Sequence, residues 1–184
     1  MEIKLKRFDP NETVKPFDCG DEDLNNFLLE RDPSIPNACH HTNELLAVTY
    51  VVEDESAGKT IAYFSLLNDR IERDLSVVDT SEWNRLSRAI PNIKRRHSHP
   101  SVKLGRLAVS LEYRNQKWGS QILSFLKYWF VHNNKTGCRF ITVDALSSAQ
   151  KFYENNGFKV LVEPQSDENT VLMYYDLKRF VMNK

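Results

Sequence analysis

Hydrophobic and polar positions recur along this chain with two periods, and they lay out most of its elements before any chemistry is considered. Ile3, Leu5 and Arg7 alternate with Lys4, Lys6 and Phe8, which predicts an opening strand. Pro10 and Pro16 break the pattern beyond it. Leu24, Phe27 and Leu28 then stand at i, i+3 and i+4 behind Asp21 or Asp23, a short helix with an acidic N-cap that ends before Pro33. Residues 32–43 read as a loop. Leu45–Glu53 and Lys59–Leu67 are strand-like runs joined by a turn ending in Gly58, a hairpin signal. Thr80 or Ser81 can cap a helix through Ile90, with Trp83, Leu86, Ala89 and Ile90 inward and Pro91 beyond.

The second half is patterned more strongly. An apolar strand (Val102–Val109) leads into a polar turn, and then comes a helix whose stripe is Ile122, Phe125, Leu126, Trp129 and Phe130. A second apolar strand (Phe140–Ala145) precedes a short helix, capped by Ser147 or Ser148, that closes in Asn156-Gly157-Phe158. An acidic loop (Glu163–Asn169) and a last strand (Thr170–Leu177) complete the chain. No internal repeat or linker divides it. The expectation is one domain over residues 1–184, of mixed α/β (α+β) class around a largely antiparallel sheet.

Composition adds little to that picture, but charge changes it. Ten Phe and seven Tyr among 184 residues place the chain with ordinary globular proteins. No apolar run approaches the ~20 residues that span a bilayer, so no membrane association is expected. The N-terminus has no signal-peptide core, and three Cys at unrelated spacings imply no disulfide framework, which together suggest a reduced, cytoplasmic protein. Net charge is zero, yet residues 83–143 hold 12 basic residues and the single acid Glu112. A field of that sign attracts a polyphosphate or nucleic acid unless acidic segments fold over it.

Within the basic third, the helix stripe begins at Ile122, so the helix starts near Lys117–Gly119 and the turn Arg114–Ser120 lies at its N-terminus. Unbonded N–H groups and the positive dipole end make such a place an anion site. Gly119 admits a close backbone approach, and Arg114 and Lys117 add charge.

Here the sequence resembles the GNAT superfamily of acetyl-CoA-dependent N-acetyltransferases. Leu107-Ala108-Val109 followed by Arg114-Asn115-Gln116-Lys117-Trp118-Gly119 is similar to the strand and Arg/Gln-x-x-Gly-x-Gly/Ala turn of that family, with Lys117 in place of the first glycine. Independently, Ala149 to Phe158 matches the family's Ala-x-x-Phe-Tyr-x-x-x-Gly-Phe, although Leu146 stands where the family often has Asn. The opening Phe17-Asp18-Cys19-Gly20, with Leu24-Asn25 and Phe27-Leu28, is similar to the acetyltransferase toxins of bacterial toxin–antitoxin pairs, as are Leu104–Val109 and Asp144-Ala145-Leu146.

The resemblance implies a GNAT fold with about six to seven strands, about four flanking helices and two central strands that splay apart. Acetyl-CoA would be the co-substrate. Leu107, Ala108 and Val109 would pair with its pantetheine arm and polarise the thioester carbonyl. Arg114, Asn115, Gln116, Lys117, Trp118, Gly119 and Ser120 would hold its pyrophosphate. Tyr153 would protonate the leaving thiolate, against the plainer reading of a core tyrosine on an amphipathic helix. The acceptor is a primary amine, in the toxin branch that of an aminoacyl-tRNA, with an antitoxin as partner. A small-molecule or protein amine, or a non-catalytic acyl-CoA-binding module, are the other readings. Residue type alone offers Glu53, Glu72, His97 and His99 as a base, and none has a motif behind it. Cys39-His40-His41 with His97 and His99 lack metal-site spacing, so no metal is expected. Arg85, Arg88, Lys94, Arg95, Arg96, Lys103 and Arg106 form a basic stretch that suits a tRNA backbone or a solvated face equally. The oligomeric state, a homodimer included, stays open.

Overall fold

A computed structural model describes residues 1–32, 34–72, 83–84, 86, 88, 98–132, 136–162 and 169–182. Seven strands form one sheet: β1 (Ile3–Arg7), β2 (Val48–Asp54), β3 (Lys59–Glu72), β4 (Ser98–Val109), β5 (Phe140–Leu146), β6 (Lys159–Val162) and β7 (Thr170–Asp176), in the order β1-β2-β3-β4-β5-β7-β6. β1–β2, β2–β3, β5–β7 and β6–β7 are antiparallel. β4 and β5 are parallel, and their ladder joins only Ser101–Lys103 to Phe140–Thr142, although each strand is longer. The largely antiparallel sheet is as expected, and the seven strands among the described residues fall within the six to seven that the resemblance implied. β4 begins four residues earlier than expected because the polar Ser98-His99-Pro100 segment is extended rather than looped.

Five α-helices accompany the sheet among the described residues: α1 (Glu22–Leu29), α2 (Ala38–Asn43), α3 (Trp118–His132), α4 (Gln150–Asn155) and α5 (Leu177–Met182). Two of these were unexpected. α2 lies in the expected loop, where Asn37 caps it by accepting from His40 N–H at 2.9 Å. α5 comes after Asp176, whose carboxylate accepts from Lys178 N–H at 3.0 Å and also from Arg139, ending the last strand one residue short of Leu177. The predicted helix through Ile90 and the acidic loop fall mostly outside the described residues. Trp83 and Leu86 are buried, as expected.

The chain divides into two compact units. The first comprises Met1–Leu67 and Leu104–Ser124, the second Asn68–Lys103 and Phe125–Lys184. In the first, Phe8, Phe17, Phe27, Leu28, Val51, Tyr63 and Ala108 form the core, and Tyr63 donates to the Leu24 carbonyl at 2.7 Å, tying α1 to β3. Glu53 is fully buried there, with Lys6 Nζ at 3.2 Å and Lys15 Nζ at 3.0 Å. Removing both lysines would strand a buried carboxylate. In the second unit Ile71, Trp83, Leu86, Phe140, Leu161 and Tyr174 cluster, and His99 is stacked on Trp83 at 5.2 Å.

Candidate active site

The anion turn is built by the end of β4 and the start of α3. Leu107 and Val109 are half-buried while Ala108 enters the core, the alternation of a strand with one packed face. Ser110 N–H is anchored on the Ile61 carbonyl at 2.8 Å, and a 3₁₀ turn (Leu111–Tyr113) comes next. The first helical bond of α3 runs from Gln121 N–H to the Lys117 carbonyl at 3.0 Å. The N–H groups of Trp118, Gly119 and Ser120 therefore precede the helical ladder. Arg114, Asn115, Gln116 and Lys117 are exposed beside them. The indole N–H of Trp118 is buried and has no acceptor among the described residues. This donor set suits a pyrophosphate.

Asn115 and Lys117 adopt left-handed backbone, at φ 62° and 63°. Asn tolerates that region, and Lys does so at a cost of about 1 kcal/mol. Lys117 thus holds a left-handed conformation that a glycine adopts freely.

A second layer underlies the turn, and it comes from the Phe17-Asp18-Cys19-Gly20 segment. Leu111 N–H donates to the Asp18 carbonyl at 2.8 Å, and Arg114 Nη2 donates to the Cys19 carbonyl. Asp18 in turn accepts from Gly20 N–H and Asn25 Nδ2, each at 2.8 Å, and Asn25 Oδ1 accepts from Cys19 N–H at 2.9 Å. Those bonds, the Gly20 N–H foremost, hold the Asp18 carboxyl below its ordinary range. Gly20 holds φ 74°, left-handed backbone that favours glycine, and a Cβ there would crowd the exposed Leu111 side chain at 3.2 Å. The sequence offered this motif and the anion turn as separate signals, and long-range hydrogen bonds join them. Arg114 is therefore partly spent on holding the turn.

Tyr153 lies in the other unit, on α4. A 3₁₀ turn (Ser147–Ala149) leads into this helix, and neither expected serine caps it: Ser147 Oγ instead donates to the Asn169 carbonyl at 3.1 Å. At the far end Gly157, at φ 82°, reverses the chain so that Phe158 N–H returns to the Tyr153 carbonyl at 3.0 Å. The Tyr153 ring is buried edge-on against Phe152 at 5.1 Å and Phe158 at 5.5 Å. Its hydroxyl makes no hydrogen bond among the described residues, and burial pushes its pKa up to about 12. Such a group holds its proton at neutral pH and can only donate it.

Three base candidates have other partners: Glu53 between its lysines, Glu72 at 2.7 Å from Arg70 Nε, and His99 on Trp83. His97 lies outside the described residues. No cluster of three metal-ligating side chains occurs among the described residues.

Sequence reasoning missed Lys127. The buried face of α3 consists of Ile122, Leu123, Leu126 and Lys127, whereas Phe125, assigned to the stripe, is 37 % exposed. Only an i, i+4 spacing from the buried Leu123 could have suggested it.

Comparison with known proteins accords with this geometry. No curated protein matches the chain in sequence. Among solved structures, a Tyr-to-Phe mutant of KacT is 23% identical, with full coverage of both chains and a TM-score of 0.75. AtaT complexed with acetyl-methionyl-tRNAfMet is 21% identical over 99% of both chains, with a TM-score of 0.70. AtaTR bound with AcCoA is 21% identical over 98% of this chain and 97% of that one, with a TM-score of 0.69. These likenesses show the fold. The acetyltransferase (GNAT) domain model matches residues 46–160, more than half of the chain, from the β2–β3 hairpin through the Tyr153 helix. The chain belongs to the GNAT acetyltransferase family.

Proposed function

We propose that residues 1–184 act as one cytoplasmic acetyltransferase domain that moves the acetyl group of acetyl-CoA onto the amino group of an aminoacyl-tRNA, under the control of an antitoxin. The observation that carries the transfer chemistry is the place of Tyr153, a phenol on the α4 segment that closes in Gly157-Phe158, within the residues matched by the GNAT domain model. The acceptor is supported by the solved AtaT complex with acetyl-methionyl-tRNAfMet, to which this chain is similar along its whole length, and by the basic middle third. An antitoxin partner is supported by the solved structure of an AtaT mutant toxin bound to the C-terminus of the antitoxin AtaR and acetyl-CoA. No helix among the described residues is long and apolar enough to cross a membrane.

In this reading the N–H groups of Trp118, Gly119 and Ser120, the charges of Arg114 and Lys117 and the exposed Asn115 and Gln116 hold the pyrophosphate of CoA. Backbone groups of Leu107–Val109 pair with the pantetheine amides, and one N–H there stabilises the oxyanion. The acceptor amine attacks the thioester carbonyl carbon, the C–S bond breaks, and the Tyr153 hydroxyl gives its proton to the departing sulfur. The amine proton leaves to water, since the amino group of an aminoacyl ester is a weak base and needs no strong acceptor.

Tyr153→Phe is the direct test. Acetyl-CoA binding stays as in the parent, and turnover with aminoacylated tRNA falls on the order of 10²-fold. Unchanged turnover would remove Tyr153 from the chemistry. Transfer to free amines but not to charged tRNA would move the acceptor to small molecules, and acetyl-CoA binding with no transfer at all would make this a binding module.

A further inference from the structure

Lys127 breaks the pattern of α3. It is only 7 % exposed, and among the described residues no carboxylate pairs with it. Burying an unpaired ammonium costs stability, and a protein retains such a group where it serves something else. Its surroundings are specific. Nζ donates to the Asn156 carbonyl at 2.6 Å and lies 4.3 Å from the centroid of the Tyr175 ring and 5.6 Å from that of Phe158. Asn156 is the residue that ends α4. A cation bonded to a carbonyl there opposes the negative end of the helix dipole, and the aromatic face beneath adds a cation–π contact.

The same rings lead back to the candidate acid. Phe158 packs on Tyr175 at 5.5 Å and on Tyr153 at 5.5 Å. Arg179, from α5, completes the cage: its Nη1 donates to the Gly157 carbonyl at 3.2 Å, and its guanidinium lies 5.5 Å from the Tyr175 centroid. α4 has only six residues, too few to hold itself by its own hydrogen bonds. Its end is held instead by two cations that each lie over the Tyr175 ring.

We propose that Lys127 is a positioning residue for the Tyr153 hydroxyl: its ammonium, fixed between the Asn156 carbonyl and the Tyr175 ring, locks the end of α4 and, through Phe158, the aim of the Tyr153 ring. This inference rests on Tyr153 being the proton donor. The groups that face Lys127 are Arg179 from α5 and the Tyr175 phenol from β7, whose pKa burial raises. Burial, and secondarily Arg179, lower the Lys127 pKa to about 8, so the clamp opens within an accessible range.

The test needs no acceptor at first. In wild-type protein with labelled tyrosine and backbone amides, NMR signals of Tyr153 and of residues 156–158 should shift together, with a midpoint near 8. In Lys127→Met that common transition should vanish. With a pool of aminoacylated tRNA as acceptor, Lys127→Met should lower kcat about tenfold and leave the KM for acetyl-CoA unchanged, while Lys127→Arg recovers most of the loss. On the Tyr153→Phe background, Lys127→Met should have no further effect. Tyr153 signals that ignore the Lys127 transition would overturn the proposal, even where the variant fails to fold, and so would a wild-type kcat in Lys127→Met. Full turnover in Tyr153→Phe, with the NMR coupling intact, would instead overturn the proton-donor reading and leave the contact standing.

Discussion

Lys117 and Lys127 are two lysines that each sit where an ordinary lysine should not. Lys117 holds a left-handed φ of 63° at the mouth of the anion turn. Lys117→Gly should raise stability by about 0.5–1 kcal/mol in denaturant unfolding, while the lost charge weakens acetyl-CoA binding more at low salt than at high salt. A loss of stability would contradict the strain at this position. Lys127 has its pKa lowered to about 8, so between that value and the ordinary lysine range the unfolded chain binds more protons than the folded one. Its destabilising effect is therefore full below about pH 8 and fades as pH rises through that window. Unfolding of wild type and Lys127→Met on either side of pH 8 should show the variant ahead at neutral pH and the gap closing above. Tyr153 was legible in the sequence because its ten-residue neighbourhood carries a recognisable pattern. Lys127 was not, because a lysine on an amphipathic helix reads as solvated, and only the packing of Tyr175 and Phe158 shows otherwise.

Among the elements, the Phe17–Gly20 turn and the Leu111–Arg114 turn behave as one piece, joined by Leu111 N–H to Asp18 and Arg114 to Cys19. Asp18→Ala removes the acceptor that orders Gly20 and Asn25, and should weaken acetyl-CoA affinity about fivefold without changing kcat. Calorimetric titration with acetyl-CoA measures this, and unaltered affinity would separate the two turns. The α3 helix and the β2–β3 hairpin could be read in advance because each carries an apolar period bounded by a turn residue, and the six-residue α4 because it ends in Gly157 within a stretch that resembles a family motif. α2 and α5 could not, since each has only six residues, too short for a period to show, and their caps, Asn37 and Asp176, stand in stretches that read as loop and strand. The cap assigned to Ser147 failed for a related reason. Its hydroxyl found the carbonyl of Asn169, a partner 22 positions away that local pattern cannot supply.

For the molecule as a whole, residues 83–143 hold 12 bases and a single acid, but Lys127 is buried and Lys103, Arg106 and Arg139 face Asp144, Asp23 and Asp176, so only the bases left uncovered can meet a polyanionic acceptor. If the acceptor is tRNA, its KM should climb steeply with ionic strength while kcat stays level, as counterion release requires. A flat salt profile would place those charges on a merely solvated face. The measurement that bears most directly on the central claim is transfer of labelled acetyl from acetyl-CoA to a pool of aminoacylated tRNA, read as label on the amino acid after its ester bond is hydrolysed. The expected result is N-acetylated amino acid with wild-type protein and almost none with Tyr153→Phe. Equal label from both proteins, or label only on uncharged amines, would contradict it.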